Sequence, residues 1–260
     1  MKTLITTILT IIFADVFAQK ADIKKSWVGD NLEFIKIDSQ RVYFEVFGSY
    51  PLEKKYYLIG DTLRLYDKYT TSKDNFSKQH VKNYDFVIKE LTYTDLTLTA
   101  IDSNSLEIAR GKKNINYRER HLVEQPSLQF EMIKFKSTNC FGTCPSLTLQ
   151  IDNEKKLVFI GGRYAVKQGY YTSTLSDSLY NSLIDILRIS ELDNLKTWKQ
   201  DVADAPEYTL EVHYNGRSKY IKNFFLPAVT YELIRYLLDI SKKTELIEAK
   251  EPLEINFTTK

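Results

Sequence analysis

The residues with the clearest chemical potential are the two cysteines, Cys140 and Cys144, in the stretch S-T-N-C-F-G-T-C-P-S-L-T-L. Two thiols at this spacing can close a short turn as a disulfide, can exchange electrons as a redox pair, or can bind a soft metal ion such as Cu(I). The choice among these depends on the compartment of the protein and on the elements that flank the turn.

The first 18 residues have the order of a secretory signal peptide, with a cation at Lys2, an apolar run over 4–13 and small residues up to Ala18. The run is too short to span a bilayer, which takes about 20 apolar residues. We expect cleavage near Ala18 and a periplasmic or secreted protein. Outside the cytosol, a nearby cysteine pair tends to be oxidised.

The flanking residues favour the disulfide. Residues 130–136 and 147–151 alternate as strands, so no helix begins at Pro145 to lower a thiol pKa. Gly142 gives the turn backbone freedom and Pro145 stiffens its exit. A third ligand for copper is poorly provided, because His213 lies on the polar face of its predicted strand. A structural disulfide is the preferred interpretation, and a redox pair or metal site remains an alternative.

Other candidate chemistry is sparse. Asp201, Asp204 and Glu207 cluster around Pro206 and can ligate a cation such as Ca²⁺, or can form a solvated acidic loop in which Asp204 caps the turn. The motifs of hydrolases, zinc proteases and phosphate loops are absent from the sequence. We therefore expect no catalytic activity and no cofactor. The two remaining histidines, His80 and His121, belong to the N-terminal half or the link.

The charge pattern argues against nucleic acid as a partner. The formal net charge is only +2, with 36 basic and 34 acidic residues interspersed along the chain. A nucleic-acid partner requires a clustered basic face. No second apolar run reaches the length of a membrane span.

Residues 19–124 are predicted to form an antiparallel β-domain, either a barrel or a sandwich. Short segments with period-two alternation follow one another without helices up to about Pro126. In R-V-Y-F-E-V-F, for example, Val42 and Phe44 share one face and Glu45 lies on the other. The predicted strands are 42–47, 53–59, 62–66, 83–91, 96–101 and 105–109.

The start of this half, I-K-K-S-W-V-G-D, and its L-T-Y-T-D-L-T-L segment resemble the lipocalin-like domains of secreted bacterial proteins. In those domains a Trp-Gly element, matched here by Trp27 and Gly29, plugs one end of a barrel. The resemblance implies a barrel that can hold a small apolar ligand. The alternative is that Trp27 simply closes a filled core.

Residues 125–260 are predicted to form an α+β sandwich, with two helices on one face of an antiparallel sheet. The predicted order is three strands, a helix, two strands and a helix. Ser176 is the predicted N-cap of the first helix, and Pro227 is the predicted first residue of the second. An edge strand is expected at 253–257.

This half resembles a family of secreted bacterial domains of unknown function over about 128–244. The matching residues are C-F-G-T-C-P at Cys140–Pro145, Gly162 and Gly169 in a hairpin, and D-A-P at Asp204–Pro206; Leu147 departs from the tyrosine that is commoner in the family. The resemblance implies a fold and a compartment but no reaction.

The sequence thus favours an exported, non-enzymatic module that binds an unknown small apolar ligand or a protein partner, stabilised by a Cys140–Cys144 disulfide. The alternative is a periplasmic thiol-redox or copper-handling protein that uses the same pair. The ligand, the oligomeric state and the pathway are not specified by the residues.

Overall fold

A computed structural model describes residues 22–258. The predicted signal peptide and its cleavage point near Ala18 lie outside these residues. No helix within 22–258 combines the length and apolar character that a membrane span requires.

The N-terminal half is a closed eight-stranded antiparallel barrel in which each strand pairs with the next and β1 pairs with β8. This arrangement confirms the predicted antiparallel domain and identifies it as a barrel. Its strands are β1 Ser26–Val28, β2 Phe34–Ile37, β3 Arg41–Glu45, β4 Leu52–Ile59, β5 Thr62–Tyr69, β6 His80–Leu91, β7 Asp95–Ala100 and β8 Asn114–Glu119.

The barrel interior is packed with side chains. Trp27 has no exposed surface, and its indole N–H donates to the carbonyl oxygen of Ile23 at 3.0 Å. Phe44 and Phe86 lie beside each other in the same cluster, with ring centroids 5.5 Å apart. Trp27 therefore closes a filled core, as the alternative interpretation of the Trp-Gly element held.

The strand predicted at 105–109 is wrong, because Ser103–Ile108 forms a short helix, α1. The Asp102 side chain accepts the Ser105 N–H while the Ser105 hydroxyl accepts the Asp102 N–H, which is a capping box. This local hydrogen bonding outweighs the weak alternation of the segment. The strand that closes the barrel is β8, which the prediction missed.

The C-terminal half is a seven-stranded antiparallel sheet with the order β14-β13-β9-β10-β11-β12-β15, and helices cover one face. The predicted α+β architecture is confirmed, but four strands rather than three precede the first helix, because the segment that begins at Gly169 forms a strand of its own. The elements are β9 Phe130–Ser137, β10 Leu147–Asp152, β11 Lys156–Gly161, β12 Gly169–Thr174, α2 Asp177–Arg188, β13 Tyr208–Tyr214, β14 Arg217–Asn223, α3 Tyr231–Lys243 and β15 Ile247–Glu248.

Of the two predicted helix starts, that of the first helix is confirmed and that of the second is wrong. Ser176 caps α2, with its hydroxyl accepting the Leu179 N–H. Pro227 does not begin the α-helix; it precedes a 3-10 turn at Ala228–Thr230 that leads into α3. Leu183 and Leu187 of α2 and Leu233 and Leu237 of α3 are fully buried in the core beneath the sheet.

The C-terminal segment after β15 crosses the outer face of the sheet. The edge strand predicted at 253–257 is wrong: β15 at Ile247–Glu248 is the edge strand, and it pairs with β12. The Lys134 ammonium donates to the carbonyl oxygen of Asn256 at 2.7 Å, and the Glu211 carboxylate accepts the Thr258 N–H at 2.7 Å. These polar bonds compete with strand pairing for the segment's backbone groups.

The barrel and the sheet domain share apolar surface. Val28, Leu32 and Phe34 from the barrel belong to the core cluster of the second domain. Tyr50, which follows β3, packs edge-on against Phe225 with ring centroids 5.1 Å apart. The boundary predicted at 124–125 falls in the link between β8 and β9.

Candidate functional site

The cysteine turn is a disulfide-closed loop between two strands. Cys140 and Cys144 are bonded, with their Cα atoms 5.6 Å apart. The Ser137 hydroxyl, at the end of β9, donates to the Pro145 carbonyl oxygen at 2.5 Å and ties the exit of the loop to its entry. The strand β10 follows Pro145 after one residue, so the loop lacks the helix N-terminus that would favour a thiolate.

The D-A-P segment supports this turn from the side. The Asp204 carboxylate accepts the Phe141 N–H at 2.7 Å. The Thr138 N–H donates to the Glu207 carbonyl oxygen, and the Glu207 N–H donates to the Thr138 hydroxyl. Asp204 therefore caps the turn. The Phe141 side chain, by contrast, is 92% exposed.

The acidic residues around Pro206 do not converge on one point. Asp204 is used by the turn, Glu207 pairs with Lys222 at 3.1 Å, and the Asp201 carbonyl oxygen accepts the Tyr50 hydroxyl at 3.4 Å. Within 22–258, no three or more His, Cys, Asp or Glu side chains are grouped so that they can hold a metal ion.

At two of the predicted glycine positions, an added Cβ would force a neighbouring side chain to move. A Cβ on Gly29 would lie 2.6 Å from the Glu33 carboxylate, and one on Gly162 would lie 2.3 Å from the Ser146 hydroxyl, next to the cysteine turn. Gly142 differs: its backbone is outside the left-handed region, and an added Cβ would make only an ordinary contact of 3.6 Å with Cys140 Sγ.

Removing the disulfide by C140A/C144A should lower the free energy of unfolding by about 2 kcal/mol, because the ring is very short and loop-closure entropy grows slowly with length. Denaturant unfolding of the oxidised protein and the double variant measures the difference. The single variant G142A is the matched control, with an expected change below about 0.5 kcal/mol. A loss of folding in C140A/C144A would contradict a purely stapling role.

A cleft of about 560 Å³ lies between the barrel and the sheet domain. One wall comes from β2 and β3 of the barrel, and the other comes from 224–228 and α3. Most of the lining is apolar or aromatic. The lining residues are Phe34, Lys36, Asp38, Tyr43, Arg120, Pro206, Tyr208, Phe224, Phe225, Leu226, Ala228, Tyr231, Glu232, Ile234, Arg235 and Leu238.

A cluster of three charged side chains at the base of this cleft joins the two domains. The Glu232 carboxylate on α3 pairs with Arg120 at 3.3 Å and with Lys36 on β2 at 3.4 Å. Arg120 is 2% exposed and also donates to the carbonyl oxygens of Ile189 and Val229. Burial lowers the pKa of Arg120, and the nearby Glu232 carboxylate opposes that shift. The buried guanidinium of Arg120 is therefore stabilised by one ion pair and two hydrogen bonds to backbone carbonyls.

Glu45 is a second buried acid at this interface. Its side chain has no exposed surface, and one carboxylate oxygen accepts the Ala228 N–H at 2.5 Å. The other oxygen has no hydrogen-bond partner within the described residues. Burial raises the pKa of Glu45 to about 8, against the effect of the Ala228 N–H. Its charge also raises the pKa of Tyr231, in addition to the larger effect of that side chain's own burial.

Sequence reasoning missed the cleft residues. The alternation in β3 predicts that Glu45 lies on the same face as Tyr43 and Phe47, outside the barrel. The two aromatic neighbours are the signal in the sequence that another part of the chain covers this face. Of the predicted site residues, only Pro206 lines the cleft. Trp27 and Gly29 lie in the barrel, and Cys140, Cys144, Gly142 and Asp204 form the turn.

Comparison with known protein families gives a match only in the second half of the chain. Residues 131–241 match the model of a protein family described as a domain of unknown function (DUF6438). This match fits the predicted resemblance of 128–244 to such a domain, whereas the lipocalin-like resemblance of the barrel stays a prediction. No curated protein and no solved structure matches the chain. Residues 131–241 are thus similar to a family whose function is unknown.

Proposed function

We propose that this chain is an exported, non-enzymatic binding protein whose ligand site is the cleft between the barrel and the sheet domain. The observation that carries the proposal is the 560 Å³ cleft, whose mostly apolar and aromatic lining is interrupted by a few fixed charges. Ligand sites for small molecules have this size and this composition, and they occur preferentially between domains.

The barrel acts as a scaffold in this proposal. Its eight strands close into a barrel, and its interior is filled by side chains that include Trp27. A small apolar ligand is therefore assigned to the outside of the barrel, against Tyr43 on β3.

The disulfide turn acts as a staple in this proposal. Its support is the bonded Cys140–Cys144 pair, the strand after Pro145 and the Asp204 cap. A redox or copper-handling role for the pair has no comparable support in the geometry. Export is supported by the sequence of residues 1–18, and the N-terminal mass of the protein from the exported fraction tests it: Gln19 is expected, and a retained Met1 would contradict it.

Binding of a neutral fluorescent apolar probe, N-phenyl-naphthylamine, tests the cleft. The wild-type protein should bind one probe, and L238W should weaken binding at least tenfold because the indole fills the space beside α3. L58W is the matched control, since Leu58 is 45% exposed on the barrel surface and lies outside the cleft lining.

A second variant on another wall, F225S, tests the cleft independently in case L238W misfolds. Circular dichroism shows whether each variant is folded. Equal probe affinity in wild type, L238W and F225S would overturn the cleft as the site. Failure of the wild-type protein to bind the probe would count equally against the proposal.

A further inference from the structure

The positively charged side chains of the cleft differ in the hydrogen bonds and ion pairs that they make. Lys36 and Arg120 share the Glu232 carboxylate, and Arg120 also bonds two backbone carbonyls. The Asp38 carboxylate accepts the N–H groups of Gln40 and Arg41, both at 2.7 Å. Every charged group at the barrel wall and at the base of the cleft therefore has a partner.

Arg235 is the exception. It lies on the exposed side of α3, lines the cleft, and makes no hydrogen bond or ion pair with any other residue in the described part of the chain. The acidic residue one turn further on, Asp239, is paired with Lys242 at 2.5 Å, and Arg235 acts on it only through the smaller effect of its charge, which lowers the Asp239 pKa. A guanidinium with several donors is thus free to meet a group that enters the cleft.

The aromatic lining also offers unused donors. Tyr43, Tyr208 and Tyr231 are half-buried in the cleft wall, and their hydroxyl groups have no hydrogen-bond partner among residues 22–258. Burial raises the pKa of both Tyr208 and Tyr231, so these phenols stay protonated at neutral pH. Neutral phenols and a free guanidinium both favour a ligand rich in acceptor oxygens.

We propose that the cleft takes amphipathic anions, molecules with an apolar body and one carboxylate-like or sulfonate-like head group, and that Arg235 binds the head. The body would lie against the aromatic wall formed by Phe225 and Tyr208, while the phenols donate to the head or to oxygens near it. The inference rests on the proposed function, since it names the class of ligand for the same cleft.

Arg235 and Leu238 extend the site toward the disulfide turn. Both residues also line a smaller pocket of about 230 Å³ that includes Pro145. The head group bound by Arg235 would therefore sit between the cleft and the turn, on the solvent side. This position leaves a charged head hydrated while the apolar body is buried, which is the arrangement that limits the cost of desolvating an ion.

A matched pair of probes tests the inference. Anilinonaphthalene sulfonate carries an anionic head on the body of N-phenyl-naphthylamine, so the ratio of their affinities measures anion recognition. The wild-type protein should bind the sulfonate more tightly than the neutral probe, and R235Q should lower that ratio five- to tenfold. K78Q is the charge-matched control, because Lys78 is exposed in a loop of the barrel and lies outside the cleft lining.

The outcomes separate the two proposals. If R235Q leaves the affinity ratio unchanged while both probes bind in the cleft, anion recognition by Arg235 is wrong and the apolar ligand site stands. If K78Q lowers the ratio as much as R235Q does, a general attraction by surface charge replaces the inference. If neither probe binds the wild-type protein, the proposed function itself fails.

Discussion

Replacing Lys134 with Met is expected to destabilise the protein by about 3 kcal/mol, because the change removes the lysine cation from a buried carboxylate and leaves it only its bonds to His213 and Thr258. Glu211 has no exposed surface, and Lys134 donates to it at 3.0 Å. Burial disfavours the charged form of Glu211, but hydrogen bonds from His213, Thr258 and Lys134 outweigh it and hold its pKa at about 2. Urea unfolding at pH 7 measures the loss.

The same strand supplies the control. Lys136 lies two residues further along β9 and is exposed, so K136M should change the free energy of unfolding by less than about 0.5 kcal/mol. The double variant K134M/E211M should recover most of the loss, since it removes both buried charges. Equal effects of K134M and K136M would show that the Lys134–Glu211 pair and the C-terminal segment it holds do not contribute as described.

Replacing Glu45 with Gln is expected to stabilise the protein at neutral and alkaline pH. The folded-state pKa of about 8 lies above the ordinary value of 4.5, so the folded protein binds more protons than the unfolded chain between these values. The free energy of unfolding therefore falls as the pH rises through this window. Between pH 5 and 8.5 the fall is about 4 kcal/mol, since one pKa unit corresponds to about 1.4 kcal/mol.

The Gln variant keeps an acceptor for the Ala228 N–H and cannot ionise. Subtracting its unfolding profile from that of the wild type removes the contributions of the other carboxylates and leaves the effect of Glu45. The difference should grow steadily from pH 5 to 8.5 in favour of the variant. A flat difference, or a wild type that gains stability as pH rises in this window relative to E45Q, would contradict a neutral Glu45 at the domain interface.

Much of each domain can be predicted from short-range patterns. Period-two alternation located most strands of the barrel, and the Ser176 cap with its apolar stripe located α2. The failures lie where a side-chain hydrogen bond decides the backbone conformation, over a short range at Asp102 and over a long range at Asn256 and Thr258. The Asp102–Ser105 capping box turned a predicted strand into α1, and the bonds of Asn256 and Thr258 to the outer sheet face replaced a predicted edge strand.

The cleft was beyond sequence reasoning for a different reason. Its residues come from positions that are far apart in the chain, such as Lys36, Arg120 and Glu232, and only the docking of two domains brings them together. Glu45 appears as an ordinary outward residue of β3 until the Ala228 N–H, 183 residues further on, lies against it. The cysteine turn was found because its disulfide and its Ser137–Pro145 bond are local, although its bonds to Asp204 and Glu207 are not.

Amide chemical-shift mapping of the bound neutral probe tests the central claim most directly, because it locates the ligand without a substitution. The account predicts that the perturbed amides cluster in two places, on β2 of the barrel around Lys36 and on the segment from Phe224 to Leu238. Perturbations confined to the barrel core around Trp27, or to the loop between Cys140 and Cys144, would contradict the cleft as the binding site.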